Sequence, residues 1–146
     1  TVATKGIPLA YAVAGQLGVP VVMVRKDSKV TEGSTVSINY VSGSSKRIQT
    51  MLLAKRSLKE GSNVLIIDDF MKAGGTINGM ISLLEEFKAN VAGIGVLVET
   101  EGVEERLVDE YVSLVKLTDV DTREKHIQVM AGTYLQFVKD KEIGED

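Results

Sequence analysis

The sequence predicts an α/β fold: a mainly parallel sheet flanked by helices. Three observations carry this reading. Two short apolar runs without alternation, Pro20–Val24 and Val64–Ile67, have the composition of strands buried on both faces. Two longer segments, Ile7–Leu17 and Thr76–Ala89, repeat apolar residues at three- and four-residue spacing, the period of a helix with one buried face. The two kinds alternate along the chain, the order that right-handed crossovers in a parallel sheet require.

The first helix is bounded by Pro8, suited to a first helical turn, and by Gly18 just past its end, with Leu9, Val13 and Leu17 as its apolar stripe. The strand Pro20–Val24 exits into the charged stretch Arg25-Lys26-Asp27-Ser28-Lys29. Thr35–Val41 alternates, with Val36, Ile38 and Tyr40 on one face, and Ile48–Leu53 reads as its return strand across a polar turn, Ser42-Gly43-Ser44-Ser45. Together they form a flexible hairpin leaning off the main sheet. After Val64–Ile67, the helix Thr76–Ala89 places Ile77, Met80, Ile81, Leu84 and Phe87 on one face. Val91–Val98 follows as a strand, Glu104–Tyr111 as a short helix, Val112–Leu117 as a strand. His126–Met130 and Tyr134–Val138 are expected to finish the domain as strands, with a frayed charged tail beyond.

At 146 residues the chain is one domain's worth. It has no cysteine, which excludes disulfides and thiolate chemistry, and its single histidine excludes a site built on several imidazoles. A net charge of −3 offers no general attraction to nucleic acid or an anionic membrane. No apolar run approaches the roughly 20 residues of a membrane span, so no membrane partner is expected and the cytoplasm is the default location. The opening Thr1-Val2-Ala3-Thr4 lacks an initiating methionine and enters a helix almost at once, so the expectation is a fragment whose first strand is truncated.

The chemistry concentrates in Asp68-Asp69-Phe70-Met71-Lys72-Ala73-Gly74-Gly75-Thr76, between a buried strand and a helix. Ligands of open parallel sheets bind beyond the carboxyl ends of the strands. Gly74 and Gly75 let a phosphate approach their amides, and the following helix start adds free N–H groups and a positive dipole end. Thr76 supplies a hydroxyl and Lys72 a point charge. Two ionised carboxylates, by contrast, are pure acceptors, suited to vicinal hydroxyls such as those of ribose. Acids before the turn and anion donors within it describe a ribose 5-phosphate. The plainer alternatives are a tight Gly-Gly turn with no ligand, and acids that serve a magnesium site.

Val64–Thr76 resembles the signature for 5-phosphoribosyl 1-pyrophosphate (PRPP) in type I phosphoribosyltransferases. Ala3-Thr4-Lys5-Gly6 is similar to that fold's pyrophosphate loop, Arg25-Lys26 to its second anion-contacting position, and 27–54 falls where the family keeps a flexible loop. The stretches TVATKGIPLAYAVA, VRKDSKVTEGSTVSINYVSGSS and NVLIIDDFMKAGGTINGM, in that order, resemble the effector domains of Gram-positive purine operon repressors. The resemblance implies that Asp68 and Asp69 hold the ribose hydroxyls, with Phe70 beside them. Ala73, Gly74, Gly75 and Thr76 would cradle the 5-phosphate, with Lys72 also among the PRPP-binding residues. Thr4, Lys5 and Gly6, with Arg25 and Lys26, would face the pyrophosphate and its magnesium, the metal being held by ligand oxygens and not by a protein cage.

It further implies a homodimer, a winged-helix DNA-binding domain upstream of residues 1–146, and a repressor released from operator DNA by PRPP. Guanosine tetraphosphate, also a ribose with pyrophosphates, is a possible competitor. No redox or organic cofactor is expected. Several purine-salvage enzymes of the fold carry an acid where Lys72 stands; a cationic lysine cannot accept that proton, which favours a non-catalytic sensor over a purine phosphoribosyltransferase. A nucleic-acid module resting on Lys46, Arg47, Lys55 and Arg56 is a third reading, disfavoured by net acidity. Tyr40 is expected to pack on its hairpin, His126 to be structural, and Met51, Met71, Met80 and Met130 to fill the core. The acidic run Glu99–Glu105 reads as a solvated loop.

Overall fold

The computed structural model describes residues 1–27, 33–42, 47–121, 126–136 and 138. In chain order the elements are helix α1 (Ile7–Leu17), strands β1 (Thr35–Val41) and β2 (Ile48–Ala54), strand β3 (Asn63–Met71), helix α2 (Gly75–Glu86), and strands β4 (Asn90–Thr100), β5 (Val112–Asp121) and β6 (His126–Ala131). The main sheet has the order β3-β4-β5-β6, with β3, β4 and β5 parallel and β6 antiparallel. The α/β class and its mainly parallel sheet are as the sequence indicates.

The core forms where α2 lies on this sheet. Ile77, Met80, Leu83 and Leu84 of α2 are buried against Ile66 of β3 and Ile94 and Val96 of β4. The hairpin closes the outer side of the helix. β1 and β2 form a separate two-stranded sheet, and Tyr40, Met51 and Leu53 join the same apolar cluster. Alternation in β1 therefore works as expected, with Val36, Ile38 and Tyr40 turned inward of Ser37, Asn39 and Val41. The Tyr40 hydroxyl donates to Gln49 Oε1 at 2.7 Å. The hairpin tip and most of the charged stretch after Lys26 lie outside the described residues, so the expected turn at 43–45 has no counterpart to compare.

α1 presents a small face. Ala10 and Ala14 are its buried residues, while Leu17, expected on the apolar stripe, is 58% exposed. Beside α1, β3 has no hydrogen-bonded neighbour on the side away from β4 among the described residues. A cavity of about 430 Å³ opens there, bordered by Thr1, Ala14, Val22, Val64, Leu65 and Ile67.

Four sequence-based expectations are corrected. Pro20–Val24 makes no strand ladder: among the described residues it pairs with the short segment Thr1–Ala3, through the Val2–Val24 bridge and the hydrogen bonds from Thr1 N to Val22 O, Val24 N to Thr1 O and Ala3 N to Val24 O. The segment 104–111 is irregular: Leu107 N donates to Ala73 O, and Arg106 bonds to Glu99 and Thr100 of β4 as well as to Tyr111. The segment after β6 turns into helix at 133–136, with Gln136 N donating to Gly132 O, instead of a last strand. Met130 is 51% exposed, unlike the buried Met51, Met71 and Met80.

Gly79 sits where α2 meets the hairpin: a Cβ there would lie 2.8 Å from Met51 Cε and 2.9 Å from Tyr40 Cβ. On an open helix face, glycine to alanine stabilises by about 1 kcal/mol. Here overpacking against the Tyr40 stem outweighs that gain, since such strain costs about 1–3 kcal/mol. Gly79→Ala is therefore expected to lower the denaturant midpoint. An unchanged or raised midpoint would show that the hairpin is not seated on α2.

Candidate ligand-binding site

β3 does not stop at Ile67. Parallel pairing continues with Asp68 opposite Val96, Phe70 opposite Val98 and Met71 opposite Glu99, so both acids belong to the strand end and not to a loop. Successive strand side chains leave on opposite sides. Asp68 and Asp69 nevertheless stay close enough for their carboxyls to interact, an interaction that helps to raise Asp68.

Asp68 is the buried one, 7% exposed. Its Oδ1 accepts the Asp69 N–H at 3.0 Å. Gly6 lies directly over it: a Cβ at Gly6 would sit 3.1 Å from Asp68 Oδ1 and would run into Thr1 Oγ1. Only glycine lets the loop before α1 close on the strand end. Burial is the main reason that the Asp68 carboxyl is pushed up to about 6. Displaced titration of a carboxyl in a cavity is a mark of a functional site.

Past Met71 the chain turns through Lys72-Ala73-Gly74 into α2. Gly74 has φ +84°, the left-handed region, and Val108 Cγ2 would be 3.1 Å from any Cβ added to it. No side chain caps α2, so its leading N–H groups and positive dipole end are open to an anion. Asp68, Phe70, Met71, Lys72, Ala73, Gly74, Gly75, Thr76 and Ile77 line a cavity of about 80 Å³, room for a few waters and on the scale of a phosphate group. A buried acceptor and an anion-receptive turn therefore share one space. Phe70, 46% exposed, forms part of its rim.

The remaining sequence-derived candidates divide. Gly6 joins the site through Asp68. Thr4 and Arg25 border a second cavity of about 630 Å³ with Ala3, Met23, Leu52 and Arg56. The Ala3–Thr4 peptide in this loop is cis. Lys5 and Lys26 are exposed, Asp69 is half-buried, and none of these three borders either cavity. Arg47, Lys55 and Arg56 are exposed, and Lys46 lies outside the described residues.

One group at this end of the sheet was missed. Glu99, read in the sequence as solvated, is 3% exposed at the end of β4. It accepts from Arg106 Nη1 at 2.9 Å, from the Tyr111 hydroxyl at 2.6 Å and from Ser113 Oγ at 2.6 Å. These partners hold its carboxyl below the ordinary range despite burial, while burial and then the contact with Glu99 push Tyr111 up to about 12. The only sequence signal was an acid closing an apolar strand, with an arginine seven residues later.

Comparison with known proteins places this geometry. The model of the phosphoribosyl transferase domain matches residues 1–132. The chain belongs to that family. It is 76% identical over 140 residues to the purine biosynthesis transcriptional repressor PurR of Bacillus subtilis, covering 96% of this chain and 49% of that protein. It is 54% identical over 132 residues to the purine biosynthesis transcriptional activator PurR of Lactococcus lactis, covering 90% of this chain and 49% of the relative. The chain thus spans about half the length of the curated relatives it matches. Among solved structures, adenine phosphoribosyltransferase from Thermoanaerobacter pseudethanolicus aligns with a TM-score of 0.70 at 29% identity, over 79% of this chain and 67% of the enzyme. The family therefore holds both regulators and enzymes on one frame.

The burial of Asp68 has a measurable cost. Its folded value of about 6 lies above the ordinary 3.8, so folding favours the protonated form. That contribution is fully present below about pH 4 and is lost as pH rises through 6. Asp68→Asn is accordingly expected to be more stable than the wild type at pH 7, by up to about 3 kcal/mol for a two-unit shift, and to lose this advantage near pH 4. Denaturation curves at the two pH values decide it; equal stability at pH 7 would mean that Asp68 is solvated.

Proposed function

We propose that this chain is the effector-binding part of a purine-biosynthesis transcriptional regulator, and that its ligand is PRPP. The observation that carries the ligand reading is the shared cavity of Asp68 and the Lys72–Thr76 turn. The carboxylate accepts from ribose hydroxyls, and the turn with the α2 N-terminus receives the 5-phosphate. Asp69, whose carboxyl interacts with that of Asp68, adds a second acceptor for the sugar. The loop Thr4–Gly6 and the basic pair Arg25-Lys26 lie on the pyrophosphate side.

The donor set suits a magnesium ion brought by the ligand. Carboxylate oxygens are hard donors, and among the described residues no three metal-binding side chains converge. Magnesium would neutralise pyrophosphate charge, with its oxygens coming from the ligand and water.

The regulator reading rests on identity to the Bacillus repressor along nearly all of this chain. An effector shifts DNA binding only by its difference in affinity for the two states of the protein. PRPP settles the basic segment around Arg25 and Lys26 and lowers operator affinity of the full-length homodimer, which acts in the cytoplasm; no helix among the described residues is long and apolar enough to cross a membrane. Exposed apolar residues on β5 and β6, including Val112, Leu114 and Val129, suit burial in a larger assembly. Guanosine tetraphosphate offers the same ribose and pyrophosphate groups and would compete.

The second reading, an active purine phosphoribosyltransferase, is favoured by the likeness to the Thermoanaerobacter enzyme. It lacks an acid at Lys72. Release of pyrophosphate from PRPP with adenine, guanine, xanthine or hypoxanthine would decide for it.

Three measurements test the proposal. Hydrogen bonds to a charged group contribute about 1.5–3 kcal/mol, so Asp68→Asn should weaken PRPP binding at pH 7.5 by roughly tenfold or more. Wild-type affinity should fall as pH drops below about 6, where Asp68 takes up a proton. In the full-length protein, saturating PRPP should reduce operator affinity; an unchanged affinity would overturn the regulatory half alone.

A further inference from the structure

The phosphate turn does not hold itself. Its Ala73 carbonyl accepts a hydrogen bond from Leu107 N–H at 2.9 Å. Val108, 5% exposed, packs against Gly74 from behind. Both contacts come from the irregular segment between β4 and β5, which has no helix or strand of its own to fix it.

What fixes it is the Glu99 cluster. Arg106 Nη1 donates to Glu99 Oε2 and, at 2.7 Å, to the Tyr111 hydroxyl, while Nη2 donates to Thr100 O at 2.7 Å. The guanidinium also lies 5.4 Å from the centre of the Tyr111 ring. Ser113 Oγ completes the carboxylate from β5 and accepts from Thr133 N at 3.1 Å. Arg106 thus ties the start and end of the segment to the ends of β4 and β5, immediately before the two residues that touch the turn.

We infer that Arg106, clamped by Glu99 and Tyr111, is a positioning residue for the 5-phosphate turn. The physical reason lies in the peptide plane. A trans peptide points its C=O and N–H in opposite directions. With the Ala73 carbonyl committed to Leu107, the Gly74 N–H of the same peptide faces away from that segment, on the anion side. Were the carbonyl released, the peptide could rotate at Gly74, and an acceptor oxygen would oppose the phosphate. The clamp fixes the sign of the dipole that the ligand meets. Arg106 itself borders neither cavity of the site.

This inference rests on the ribose 5-phosphate reading of the pocket, and the test separates the two. Ribose 5-phosphate and inorganic pyrophosphate are titrated calorimetrically into the full-length protein, as wild type, Arg106→Met and Arg106→Lys. The expected result is about a tenfold loss of ribose 5-phosphate affinity in Arg106→Met, the size of losing one good hydrogen bond to the anion. Pyrophosphate affinity should stay within twofold, and lysine, which keeps the charge on Glu99, should restore part of the loss. Val108→Ala gives a milder second route, with an expected loss of a few fold, should Arg106→Met fold poorly. Wild-type protein that does not bind ribose 5-phosphate would overturn the pocket reading and the clamp with it. Wild-type binding with no loss in the foldable variants, or parallel loss of both ligands without rescue by lysine, would overturn the clamp alone.

Discussion

A carboxylate withdrawn from water at the end of β3 is the constraint around which this domain is built. Desolvating an ion is costly unless it is paired or hydrogen-bonded, and Asp68 has one backbone N–H to compensate it. The fold tolerates the deficit because a strand in parallel register, a glycine loop closing overhead and a helix start across the cavity all hold the group in place. A preorganised acceptor next to preorganised donors binds a bipolar ligand without first paying to order its own side chains.

The rest of the structure stiffens the two walls of that cavity. The hairpin clamps α2 from outside through Tyr40 and Met51, with Gly79 as the contact point. The segment between β4 and β5 backs the turn through Leu107 and Val108. Glu99 contrasts with Asp68: equally buried, it is satisfied by three side chains and is held in its charged form. One acid is built to stay ionised as structure, the other is left short of partners where a ligand would meet it.

The same frame serves an adenine phosphoribosyltransferase, a repressor and an activator among its relatives. Fold alone therefore does not assign activity. The relatives named for opposite transcriptional effects both match this chain over about half of their own length.

Much of this was legible from residue order. The class of fold, α1, both hairpin strands, α2 and the three parallel strands follow from apolar period, because burial on one or both faces imposes a spacing that composition cannot hide. The glycine turn into α2 was legible too, since Gly74 answers a left-handed backbone conformation and a close approach of Val108 that favour glycine. Local chemistry writes itself into local sequence. Tertiary contact alone decided the remainder. It buried Asp68 at the end of a strand that outlasts its apolar run, turned Glu99 inward, and left Pro20–Val24 without a ladder. It also replaced a helix over 104–111 by a brace on the turn. In each case the deciding partner stands on another element, and pattern within one segment carries no record of what lies across the fold.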